Sequence, residues 1–60
     1  MEVGDLVMWT GYTDYGRIGI IRASSRISPL RDRRYEVVWS DGAIGRDLYA
    51  AEIRVVRNAP

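Results

Sequence analysis

No stretch of this chain carries an apolar stripe at helical spacing long enough for a helix bundle. Gly-bearing turns and Pro29 interrupt it first. Between the interruptions stand short runs rich in Val, Ile, Trp and Tyr, which read as strands. Five such runs fit into sixty residues. That pattern predicts an all-β chain, a five-stranded antiparallel barrel, because curling removes exposed edges that an isolated meander would leave open.

The runs fall as follows. Residues 3–10 predict a first strand after the Gly4-Asp5 turn, with Val3, Val7 and Trp9 sharing one face. Residues 11–16 form a glycine-bounded loop. A second strand is predicted over 17–23, where the mid-strand Gly19 marks a bulge or sharp bend. Its inward face stays open, because Ile18 and Ile20 oppose Ile21 and Ala23 in parity. Residues 24–34 read as an Arg-rich polar loop broken by Pro29. Tyr35, Val37 and Trp39 then define the clearest strand face. Asp41-Gly42 is a hairpin signal, since such turns need a positive φ. A weaker strand covers 43–48, and residues 49–52 leave room for one helical turn. Residues 53–56 close the sheet, and 57–60 are expected to fray. Neither a repeat nor a linker is visible, so 1–60 reads as a single domain.

Size and composition restrict chemistry further. A sixty-residue domain buries only about 60% of the surface its unfolded chain exposes, so it usually needs a staple or a partner. With no Cys, disulfides and thiolate metal sites are excluded. With no His, imidazole ligands and Ser-His or Cys-His catalysis are excluded too. All nine basic residues are Arg, which removes Schiff-base and P-loop chemistry. Arg also favours stacking and bidentate contacts with carboxylate or phosphate. The net charge of +1 argues against gross polyanion binding by the whole surface. The longest apolar run falls far short of the roughly 20 residues a membrane span needs, and the start lacks a signal-peptide pattern. No cofactor and no catalysis are expected.

The order Gly4-Asp5-Leu6-Val7, Tyr15-Gly16, Gly19-Ile20-Ile21, Tyr35 through Gly42, and Glu52-Ile53-Arg54-Val55 resembles small SH3-like barrels. It is similar to the Tudor and KOW types and to short barrel proteins of bacteriophages. The resemblance spans nearly the whole chain. It implies a Gly-Asp turn opening the first strand, a Trp-x-Asp-Gly corner ending the third, and a one-turn 3-10 helix before the last. It also implies a host-cytoplasmic or virion location. A fold-level likeness to plasmid-borne dihydrofolate reductases carries no catalysis here, because the chain has no Gln for their Val-Gln-Ile-Tyr stretch.

Three constellations are candidate sites. By resemblance to Tudor cages, Tyr12, Tyr15 and Trp39, with Asp41 as the anion, would hold a methylated cation; alternatively Trp9 and Trp39 simply fill the core. Arg22, Arg26, Arg31, Arg33 and Arg34 lie close together with only Asp32 opposing them. Arg26, Arg31, Arg33 and Arg34 are the binding candidates of this loop, for phosphates, unpaired bases or an acidic protein. Asp5, Asp14, Asp41 and Asp47 stand near turns, where carboxylates accept backbone hydrogen bonds. The leading expectation is a non-catalytic interaction module of phage or bacterial origin. Its partner would be a protein or nucleic acid, reached through the Arg-rich loop and the turn aromatics. A virion or assembly component and a KOW-like nucleic-acid binder are the alternatives. If Leu6, Met8, Ile27 and Leu30 stand outside the core, they add points for homo-oligomer contact.

Overall fold

The computed structural model describes all residues except Tyr12, Asp14, 28–31 and Pro60, together with the side chains of Arg26, Ile27 and Asp32. Five antiparallel strands form one sheet: β1 (Leu6–Trp9), β2 (Ile18–Ile27), β3 (Asp32–Trp39), β4 (Ile44–Tyr49) and β5 (Ile53–Arg57). A single 3-10 turn, Ala50–Glu52, precedes β5. The strand order is β4-β3-β2-β1-β5. This is the expected all-β architecture.

Curvature follows from connectivity. In a flat sheet the two edge strands would lie roughly 19 Å apart, at about 4.8 Å per strand. Here β4 and β5 are those edges, and only the 3-10 turn joins them. Such a turn rises about 2 Å per residue, so the sheet must curl to bring its edges together. Among the described residues no ladder seals β4 to β5.

The curled sheet wraps a core of Val7, Ile21, Tyr35, Val37, Trp39 and Ile53, with Trp9, Leu48 and Val55 packed against it. Burying a Val or Ile side chain contributes about 1.5–3 kcal/mol. Val3 lies before β1 and is exposed, so the expected Val3-Val7-Trp9 face starts only at Val7. The open parity of β2 resolves inward for Ile21, which is 1% exposed, and outward for Ile20, at 49%.

Gly19 does not mark a bulge. It sits in regular register between Val7 and Trp39. A Cβ there would lie 2.6 Å from Val37 Cγ1 and 2.7 Å from both Trp39 Cε3 and the Val38 carbonyl oxygen. Glycine is therefore required by close packing rather than by a bend. The bulge in β2 falls instead between Ile21 and Ala23, at Arg22. A second irregularity, between Tyr35 and Val37, sets Arg46 and Asp47 of β4 against Glu36. Asp47 takes a left-handed φ of 55° there.

The hairpin at Asp41-Gly42 is a three-residue loop. Gly42 N–H donates to Trp39 O at 2.9 Å, Trp39 N–H donates to Ala43 O at 2.8 Å, and Gly42 alone takes a positive φ, 89°. That is a type I turn followed by a left-handed glycine.

Two expectations are corrected. Residues 24–27 and 32–34, read as loop, belong to β2 and β3 and pair from Ser24↔Tyr35 to Ile27↔Asp32. Alternation was hidden because Ser and Arg occupy positions where neither face needs to be apolar beyond the core. The C-terminal segment is also tied down. Arg57 is in β5, and Ala59 N–H donates to Asp5 Oδ1 at 2.7 Å.

Candidate functional site

The β2–β3 ribbon and the Trp39 corner are the two places where the structure concentrates the singled-out side chains.

At the corner, Trp39 is 5% exposed and packs edge-on against Trp9, with centroids 6.1 Å apart. Arg17 follows the 11–16 loop and enters β2. Because Ser40 N–H donates to Ile18 O, β2 begins beside the Ser40-Asp41 turn. The Arg17 guanidinium thus lies 5.2 Å from the Trp39 ring centroid, and its Nη2 donates to Asp41 Oδ1 and Oδ2 at 2.9 and 2.7 Å. The Asp41 carboxyl is held below its ordinary range, first by the Ala43 N–H it accepts and then by Arg17. The cation position offered by Trp39 and Asp41 is therefore filled by the chain's own Arg17. Trp9, Thr13, Arg17, Trp39 and Leu48 line a depression of about 210 Å³ beside it. Tyr15 is highly exposed, and it borders a neighbouring depression with Arg17 and Asp41. Tyr12 lies outside the described residues. Arg17 was absent from the sequence-based candidates; its charge, opposite to that of Asp41, was the available signal, but the register that joins them was not.

On the ribbon, Tyr35 points into the core, so strand alternation sends Glu36 and Arg34 to the outer face and Arg33 to the opposite one. Glu36 forms ion pairs at both bulges: Arg22 Nε lies 3.2 Å from Oε2, and Arg46 Nε 3.6 Å from Oε1. Arg34 stacks over Tyr49 at 3.7 Å and donates Nη2–H to the Tyr49 hydroxyl at 2.8 Å. Arg33 is exposed and stands in register with Arg26. Like charges at directly opposed positions are unfavourable in a sheet. The Arg34↔Tyr49 pair is the outermost contact that β3 makes with β4. Beyond it β2 and β3 pair only with each other, as a two-stranded extension. Arg31 lies outside the described residues.

Charge is divided sharply between residues 22–34 and the rest of the chain. Five Arg against one Asp give residues 22–34 a charge of +4. With the whole chain at +1, the other residues together carry −3. Those acids are largely engaged within the fold. Asp5 is buried, and its carboxyl is held low by the N–H of Glu2 and then of Ala59. Asp41 holds Arg17, Glu36 holds Arg22 and Arg46, and Glu52 Oε1 accepts the Tyr49 N–H at 2.9 Å.

The outer sheet face carries Leu6, Ile20, Val38 and Ile44 in one cross-strand row. Ile27 and Leu30 are not among the side chains described. Among the described residues there is no group of three acidic side chains placed to hold a metal, and no helix long and apolar enough to cross a membrane. Comparison with known proteins returns no matching family model, no matching curated protein and no matching solved structure.

Proposed function

We propose that this chain is a non-catalytic interaction module, an SH3-like barrel of the Tudor and KOW kind, that binds an anionic macromolecule through its β2–β3 ribbon. One observation carries the reading: residues 22–34 carry +4, and the strands that bear them pair on past the edge of β4, while the rest of the chain carries −3. An extension held in strand geometry loses less conformational freedom on binding than a coil would. The negative body confines contact with a polyanion to the ribbon. The like-charged Arg26↔Arg33 register pair is relieved when an anion lies against it. Strand number, antiparallel pairing and the one-turn helix before β5 support the SH3-like part of the reading.

The turn aromatics take a smaller part in this reading than the arginines. Trp39 and Asp41 already hold Arg17, and Tyr15 remains as an exposed contact residue.

Retention on immobilised heparin tests the proposal. Wild type should be retained at low salt. A variant with Arg31→Ala and Arg33→Ala should elute at clearly lower salt than one with Arg54→Ala and Arg57→Ala on β5. Unretarded wild type, or equal elution of the two variants, overturns it.

A further inference from the structure

We infer that the two adjoining depressions at the Trp39 corner form one binding site for a free α-amino acid with an apolar side chain. The site stands apart from the ribbon reading. It lies where β2 begins, whereas residues 24–27 are the far end of that strand.

One half of the site is apolar. Trp9, Trp39 and Leu48 line the depression of about 210 Å³, together with Thr13 and Arg17. Trp9 and Leu48 are only half-buried, so apolar surface stays in contact with water there. Covering it is favourable. Drug-sized ligands occupy pockets of roughly 300–1,000 Å³, so this depression suits a single side chain.

The other half is polar, lined by Tyr15, Gly16, Arg17, Ser40 and Asp41. Its cation and anion are paired, yet each keeps hydrogen-bonding capacity. Arg17 engages Asp41 through Nη2 alone, and among the described residues no acceptor meets its Nε or Nη1. Asp41 Oδ1 accepts from both Arg17 and the Ala43 N–H, whereas Oδ2 accepts only from Arg17. A carboxylate oxygen can accept twice, so Oδ2 has a place left. The Asp41 side chain is 62% exposed, which keeps that place accessible.

These charges select the ligand. A simple carboxylate would gain Arg17 but meet Asp41. A simple cation would gain Asp41 but meet Arg17, which already sits 5.2 Å from the Trp39 ring centroid. A zwitterion satisfies both, with its carboxylate on the open Arg17 donors and its ammonium on Asp41 Oδ2. Its side chain then enters the apolar depression, which Arg17 also lines.

Titration of the chain's tryptophan emission with L-phenylalanine tests the inference. The emission should change saturably, in the millimolar range expected for so small a ligand. Glycine, which has no side chain to cover Trp9 and Leu48, should leave it unchanged. N-acetyl-L-phenylalanine lacks the positive charge and L-phenylalaninamide the negative one. Each should bind about fivefold more weakly than the free amino acid, the scale of one exposed ion pair. Asp41→Asn keeps an oxygen for the Ala43 N–H; it should weaken L-phenylalanine by about fivefold and leave N-acetyl-L-phenylalanine no weaker. The ligand series is read on the wild-type chain, so it decides the matter even where the variant fails to fold. No saturable change with L-phenylalanine overturns the site, and an equal response to glycine overturns its apolar half. Equal binding of the acetylated compound overturns the amino acid in favour of a peptide C-terminus. Equal binding of the amide overturns it in favour of a peptide N-terminus or another cation.

Discussion

Arg17 caps Trp39: the guanidinium sits 5.2 Å from the indole centroid and is anchored there by both oxygens of Asp41. The contact joins the entry of β2 to the β3–β4 turn, so it closes one end of the core. Removing it should be visible in the tryptophan signal. Arg17→Ala should shift emission to the red and lower the melting midpoint, with the Trp39 contact contributing about 0.5–1 kcal/mol. Arg17→Lys should recover only part of this, because a point charge lacks the planar fork. Unchanged emission in Arg17→Ala would show that the cap does not shield Trp39.

Ile20 and Ile21 are adjacent and chemically identical, yet one faces outward and the other is buried. Ile21→Val should cost about 0.5–1.5 kcal/mol. Ile20→Val should stay within about 0.5 kcal/mol of wild type, as an exposed substitution. Urea unfolding of the two variants checks this, and equal losses would refute the assigned strand face.

Gly19→Ala places a methyl against Val37, Trp39 and the Val38 carbonyl, where the backbone cannot yield cheaply. Overpacking of this kind costs about 1–3 kcal/mol. Gly16→Ala is a useful contrast. A Cβ there meets nothing within 4 Å, but the φ of +88° penalises any side chain. Gly19→Ala should therefore perturb the near-ultraviolet tryptophan spectrum, whereas Gly16→Ala should lower stability without altering it.

Asp5 and Asp41 both have carboxyls held below the ordinary value of 3.8 in the folded chain. Such groups stabilise the fold above their unfolded value, and that contribution is lost as pH falls through the folded one. Melting midpoints should thus decline as pH drops below about 4. In a variant with Asp5→Ala and Asp41→Ala, the midpoint at neutral pH should be lower and the acid decline shallower. An acid decline as steep as that of wild type would remove these two groups as its cause.

Much of the fold was legible along the chain. Tyr35, Val37 and Trp39 alternate because one face of β3 is buried, and the period of two survives in the sequence. Asp41-Gly42 announced its turn because few residues tolerate the left-handed φ that Gly42 adopts. The ribbon beyond Tyr35 was read as loop for the converse reason. Where neither face packs on a core, Ser and Arg satisfy either side, and no period is imposed on them.

The sequence by itself determined the class of strands and turns, the closed set of available side-chain chemistries, and the clustering of arginine before Tyr35. Local sterics and composition are sufficient for those. Only the tertiary structure decided that Gly19 serves close packing, that Arg17 rather than a ligand covers Trp39, and that Glu36 sits between Arg22 and Arg46. Each of these depends on strand register, which places residues far apart in the chain within contact distance and is set by cooperative burial of the core.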